Sequence, residues 1–381
     1  MTEEKMSNVS RRNVLQRLLA ASAGFVAIPG LVRSSNHQTT LESMNKQAIK
    51  HQFPLGFQWE TQDPFLFCVH HEDKFPKGNE NMEPDVSLKG RHLGDDFIIK
   101  DGWRMYHGKK VPGFPGHPHK GFETITVVRE GWVDHADSLG AAGRYGNGDV
   151  QWMTAGKGIQ HSEMFPLVHQ DKENPMELFQ IWLNLPSKSK NVEPHFKMMW
   201  GEKIPKITYK DLQNRETKIE VIVGNLPNTK ANTPPPNSWA ANPQNEVAVW
   251  NIKLRSNAEF VLPKASKGIN RTLYFYEGDE ILIDNVTVNR YHSVEVLSHV
   301  DLKINNKNHP SSILVLQGKP INEPVIQYGP FVMNTKEEIH QAFDDFNKTQ
   351  FGGWPWARYD QVHDKTVGRF AKHADGKIEK M

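Results

Sequence analysis

Downstream of His51 the chain alternates short apolar runs with Gly, Pro, Asn and Asp: PFLFCV, ETITVV, DVQWMT, LFQIWLNL, IEVIVG, VAVWNIKL, RTLYFY, EILI, SVEVL and SSILVL. Runs of this length, rich in β-branched and aromatic side chains and bounded by turn formers, predict strands, and their spacing predicts an all-β sandwich or barrel. A helix is predicted near the end. There Thr335-Lys336-Glu337-Glu338 forms a capping box, and Ile339, Ala342, Phe343 and Phe346 fall on one helical face behind it.

The strand runs divide into two halves of similar size, which predicts a duplicated barrel. The division places a first barrel at 51–192, a second at 193–333, and a C-terminal helix with its tail at 334–381. Within the second half, NTPPPNSWAANPQN reads as a surface excursion.

The N-terminal residues follow a different pattern. SRRNVLQRLLAASAGFVAIPGLVR runs from paired arginines into a mostly apolar stretch, 18–32, which is short for a membrane span of about 20 residues but has the layout of an export signal. Ser10-Arg11-Arg12 with Val14-Leu15 resembles a bacterial twin-arginine signal, although Val14 and Gln16 stand where that motif favours Phe and Lys. Residues 1–33 are therefore expected to be a signal segment and 34–50 a linker. The protein is expected in the periplasm, delivered by the twin-arginine export machinery. It is free there or anchored through an uncleaved N-terminus, since no clean small-x-small site follows the apolar run.

Composition narrows the function classes. A chain of 381 residues can bury two cores, and a net charge of +2 without a basic run beyond the N-terminus lacks the electrostatic footprint of a nucleic-acid binder. Cys68 is the single cysteine, so no intrachain disulfide forms; its setting, FLFCVHH, predicts a buried, inert thiol. A monomer is expected.

The candidate chemistry lies in two short segments. GHPHKGFET places His117 and His119 one residue apart, and about forty residues on GIQHSEM repeats the spacing with His161 and Glu163. Residues i and i+2 of a strand share a face, so both pairs can aim into one barrel. Three imidazoles and a carboxylate on rigid elements suit Fe(II), Mn(II) or Ni(II), with Zn(II) less typical at this ligand number. A lone H-x-H is a weak signal. Two such pairs, joined by strands and the glycine-rich GRYGNGDVQWMTAGKGIQ, make a metal centre the leading reading. His70, His71, His92, His107 and His135 are expected to be surface or core polar groups. In the second half His292 and His299 stand singly, and that barrel is expected to lack metal.

FPGHPHKGFETITVVREG, GDVQWMTAGKGIQHSEMFP, LFQIWLNLP and EPVIQYGPFVMNTKEEI resemble pirin, a bicupin family, over roughly residues 51–350. QWMTAG and the last block are the most specific to it. The resemblance implies two cupin-type β-barrel domains, each a double-stranded β-helix or jelly roll, packed face to face with one iron in the N-terminal barrel. It implies His117, His119, His161 and Glu163 as ligands. Members are associated with quercetin 2,3-dioxygenase activity, some with transcriptional co-regulation in the nucleus. Glu123 matches a position that does not ligate in that family, and we read it as a support behind the ligands, holding an imidazole N–H or Lys120. Two stretches depart from the family: residues 76–110, longer than the usual connection, and the aromatic tail GGWPWARYDQVHDKTVGRF. The first is either part of a pocket rim or a surface excursion carrying a small hairpin.

Two functions follow as expectations. The first is a mononuclear iron dioxygenase that brings a flavonol or other phenolic compound and O2 to one centre, with Glu163 also taking the substrate hydroxyl proton. The second is a non-catalytic iron-binding module whose redox state alters the surface offered to a protein partner; its nuclear version does not fit an exported bacterial protein.

Overall fold

The structure is a computed structural model that describes residues 48–381. The expected signal segment, and the linker up to residue 47, lie outside the described residues.

The apolar runs form strands, and their alternation decides which core each face joins. The first part of the chain provides β1 (Ile49–Pro54), β2 (Gln58–Trp59), β3 (Phe65–Phe75), β4 (Gly113–His119), β5 (Phe122–Glu130), β6 (Trp132–Asp137), β7 (Ala142–Gly146), β8 (Val150–Thr154), β9 (Ile159–Met164), β10 (Asn174–Asn184) and β11 (His195–Met199). One antiparallel sheet runs β11-β8-β5-β10-β3-β2; a second contains β7-β6-β9-β4, and together they form the first barrel. The second barrel is built from strands between Lys206 and Gly318. Its interior is apolar, filled by Ile219, Trp250, Ile252, Leu273, Phe275 and Ile313 among others.

The two barrels share a third core. Ile125, Val127, Trp152, Phe179 and Ile181 from the first meet Ile222, Val249, Tyr274 and Leu316 from the second, and Trp59 stacks on Tyr274 with ring centroids 5.2 Å apart. Cys68 is fully buried in this core, where burial pushes its thiol pKa up and keeps it unreactive.

Hydrogen bonding crosses the sequence division at 51, 192 and 333. β1 pairs with His292–Val296 of the second barrel, β11 pairs with β8 of the first, and Phe370–Lys372 from the tail pairs with β7. Each satisfies backbone groups that an edge strand would otherwise leave open.

The segment expected to be a surface excursion, 232–245, is instead docked between the barrels. Ser238 and Asn245 are buried, and Trp239 and Ala240 pack on the shared core. Its prolines and asparagines signal irregular backbone but carry no information about burial. Beyond it, helix α1 (Lys336–Thr349) begins with both hydrogen bonds of the capping box between Thr335 and Glu338, and buries Ile339, Ala342 and Phe346 against Phe331, Met333 and Phe351.

Candidate metal centre

The first barrel keeps polar residues on its inner face. Along β5, Ile125 and Val127 join the core between the barrels, so Thr124 and Thr126 turn inward. The β4–β9 ladder sets His117 opposite His161, and the β6–β9 ladder sets His135 opposite Glu163. His117, His119 and His161 converge from these strands, with one ligand atom from each lying within 4.8 Å of the others. Three nitrogens on one ion at ~2.1 Å per bond stand roughly 3.0–3.6 Å apart, so shifts of about 1 Å or less per ring close this trio on a metal.

Glu163 stands beside this trio. Its Oε2 is 3.8 Å from His161 Nε2. The carboxylate is turned toward β10 and β5, accepting from Gln180 Nε2 at 2.7 Å and from Thr126 Oγ1 at 2.8 Å. The structure thus gathers three of the four sequence-derived ligands, while Glu163 stands beside His161 with its oxygens turned to Thr126 and Gln180.

Unpartnered nitrogens show that these residues fit a cation. His161 is fully buried, and neither ring nitrogen has a hydrogen-bond partner; His119 Nδ1 has none either. Buried polar atoms without partners are rare and cost about 1–3 kcal/mol each. His117 Nδ1–H donates to the Pro115 carbonyl at 3.0 Å, which fixes the tautomer and leaves Nε2 with a free lone pair. Burial lowers the His117 pKa to about 4, opposed by the Pro115 carbonyl and reinforced by His107 and His135. His119 and His161 are held well below the ordinary histidine value by burial and by neighbouring imidazoles. All three are neutral at pH 7, as metal ligands must be. Burial raises the Glu163 pKa, against the hydrogen bond from Thr126 and the neighbouring His135, so a divalent ion would also offset a carboxylate charge the barrel compensates poorly.

Aromatic rings and the second half wall the site. Trp182 meets the His119 ring edge-on at 5.3 Å and packs against Phe122 and Phe67 at 4.0 and 4.2 Å. The YGPFVMN segment lies along the histidine loop: Val332 N–H donates to the Lys120 carbonyl at 3.0 Å. Lys190, almost fully buried, donates to the carbonyls of Gly121 and Val332 at 2.9 and 3.1 Å. Burial lowers its pKa to about 8, with Glu323 and Glu338 opposing.

One expectation about this site needs correction. Glu123 touches neither an imidazole nor Lys120. Its side chain faces the second barrel, accepting from Thr154 Oγ1 at 2.7 Å and Ser238 Oγ at 2.5 Å, while Lys120 donates to the Lys157 carbonyl and lies 3.7 Å from Asp345. Strand alternation explains this, because odd positions of β5 point away from the metal site. Residues 76–110 divide: 85–101 are largely exposed and a small hairpin bridges Asp96 to Tyr106 and Lys100 to Trp103, whereas Trp103, Met105 and Tyr106 are buried with Phe75 and Phe165. The Tyr106 ring lies 5.1 Å from Phe114, which in turn lies 6.3 Å from His117, so this insertion thickens the wall beside the first ligand.

Sequence reasoning missed Thr126, Gln180 and His135 as neighbours of the site. Their i, i+2 relation to Thr124, Trp182 and Asp137 was visible, but which face turned inward was not. His135 is fully buried, 5.5 Å from the His161 ring, and its Nε2–H donates to Asp137 Oδ2 at 3.3 Å.

Comparison with known proteins agrees with this architecture. A family model described as Pirin matches residues 47–183, and one described as Pirin C-terminal cupin domain matches 249–352. Human pirin is 36% identical over 263 residues, covering 68% of this chain and 83% of that protein. A Pseudomonas aeruginosa protein named "Putative quercetin 2,3-dioxygenase" is 35% identical over 240 residues, covering 63% of this chain and 79% of its own length. The crystal structure of quercetin 2,3-dioxygenase from Acinetobacter baumannii superposes with a TM-score of 0.63 at 25% identity, covering 80% of this chain and 98% of that one. On both its sequence and its paired cupin barrels, this chain belongs to the pirin family.

Proposed function

We propose that the protein is an exported, mononuclear metal-dependent dioxygenase acting on a flavonol or related phenolic compound, with Fe(II) as its resident metal and His117, His119, His161 and Glu163 as ligands. The observation that carries the reading is the buried convergence of three neutral imidazoles beside a carboxylate that Gln180 and Thr126 hold in place. Bound iron would supply a redox-active Lewis acid at which a phenolic oxygen and O2 can meet. The chain's own residues do the rest. Trp182, with Phe122 packed against it, forms an apolar aromatic wall next to His119. Glu163, whose pKa burial has raised, takes the proton of the substrate hydroxyl on a carboxylate oxygen. Gln180 and Thr126 keep that carboxylate from swinging away.

The test is O2 uptake by Fe(II)-loaded protein mixed with quercetin. Glu163→Gln keeps size and one oxygen, so we expect bound iron to remain while uptake falls by about 10²-fold or more; His119→Ala should lose metal and activity together. Full turnover by iron-bound Glu163→Gln would refute the proton-acceptor role. Absence of flavonol-dependent uptake in the iron-loaded wild type would favour a non-catalytic metal-binding module. Export rests on Arg11 and Arg12 ahead of the apolar stretch 18–32. Fractionation of cells making the Arg11→Lys, Arg12→Lys precursor should find it retained in the cytoplasm, and unchanged export would point to another route.

A further inference from the structure

The segment after α1 lies beyond the residues matched to the family, which end at 352. It leaves the second half and crosses the outer face of the first barrel, behind the strands that carry the histidines. Three contacts define its path. The Tyr359 carbonyl accepts the Gly116 N–H at 2.8 Å. Gln160 Nε2 donates to the carbonyls of Gln350 and Gly353 at 2.6 and 3.2 Å. Trp356 Nε1 donates to the Asp137 carbonyl at 2.7 Å.

These contact points stand in a fixed relation to the metal site. Gly116 immediately precedes His117, Gln160 immediately precedes His161, and Asp137 pairs with His161 across the β6–β9 ladder. Because alternate residues of a strand face opposite sides, the ligands point inward while their predecessors are gripped from outside. β4 most needs such a grip: it is the edge strand of its sheet, and its register with β9 shifts between Phe114 and His117. The fit at Gly116 is close. A Cβ there would lie 2.6 Å from Tyr359 Cδ1 and 3.3 Å from Trp354 Cη2, and these two rings stack at 5.3 Å with 6° between their planes. A cavity of about 220 Å³ opens beside these contacts, lined by Gln160, Trp354, Trp356 and Tyr359. Farther along, Arg144, paired with Asp134, anchors the carbonyls of His363, Asp364 and Val367.

We propose that residues 353–359 form a positioning strap that sets His117 against His161 from behind and thereby fixes metal affinity and ligand geometry. The proposal rests on the reading of these histidines as ligands. Trp354 and Tyr359 are its positioning residues, and Gly116 is the seat they require.

Co(II) serves as the probe, read by competition with a chelator and by its visible absorption, alongside thermal melting of the metal-free protein. Trp354→Ala with Tyr359→Ala removes the stack; Gly116→Ala keeps both rings and pushes the strap outward. Each should weaken Co(II) binding by about tenfold or more, in the range seen when supports behind a ligand are lost, and should shift the absorption band in protein that still melts cooperatively. Trp356→Phe, which loses only the donor to Asp137, should move both readouts in the same direction even if Gly116→Ala does not fold. Unchanged affinity and spectrum in folded variants would overturn the strap's role and leave the metal site standing. A wild type that binds no Co(II) would instead remove the metal reading and the strap with it.

Discussion

Glu123 and Glu163 are both buried carboxyls of the first barrel, and the direction each side chain takes separates their chemistry. Glu163 points inward to the histidines. Glu123 points outward to Ser238, 115 residues away, and burial raises its pKa to about 7, against hydrogen bonds from Ser238 and Thr154. The linkage has a definite sign. Between its ordinary value of 4.5 and about 7 the folded protein holds a proton that the unfolded chain has released, so this group's contribution to stability is full below pH 4.5 and declines as pH rises through 7. The slope is about 1.4 kcal/mol per pH unit over that window. Denaturant midpoints of the metal-free protein should show this decline, and Glu123→Gln, which cannot ionise, should flatten it; an unchanged slope would exclude Glu123 as its source. The i, i+2 pairs made the histidines legible from sequence because strand periodicity alone puts them on one face. Glu123's partner was not legible, since it comes from a proline-rich loop in the other half.

Segments of the chain were legible in proportion to their regularity. The long apolar runs and the capping box of α1 appear where their patterns place them. The three-residue strand Phe370–Lys372 carries too little pattern to be read, and it exists because β7 offers it an edge. The insertion at 76–110 is held by a polar node its own sequence does not announce. Arg104 donates through Nε and Nη2 to both oxygens of Asp73 at 3.0 and 3.1 Å, and Tyr106, which accepts from His71 Nδ1–H at 2.8 Å, donates to the same carboxylate. Arg104 and Asp73 are 4% and 1% exposed, so solvent screens the pair little. Removing one partner strands a buried charge. Arg104→Ala should therefore lower unfolding free energy by about 3–5 kcal/mol, while Arg104→Ala with Asp73→Ala recovers part of the loss. A cost near zero for the single variant in chemical denaturation would show that the insertion is held by its aromatic packing alone.

At the scale of the whole described molecule, the two barrels share a core between them that is continuous with both walls. β1 belongs to the second barrel, β11 and the tail strand to the first, so neither half contains all of its own sheet. Calorimetry should give one transition with matching calorimetric and van't Hoff enthalpies, and a fragment ending at 192 should not fold to a stable barrel. Two resolved transitions would mean the shared core is weaker than its burial implies.

The span between Arg144 and the tail carbonyls it anchors just beyond the strap, 220 residues for Asp364, fixes an order of events during synthesis. The ribosome makes all the histidine-bearing strands well before the segment that braces them, and a chain emerging at ~5–20 residues per second spends ten seconds or more with β4 unsupported at its edge. On the proposed strap role, tight metal binding would be deferred until the second barrel has been made and the tail has returned. If the strap sets the ligands as proposed, the nascent chain would be a poorer chelator than the finished one, and tight metal binding would report complete folding.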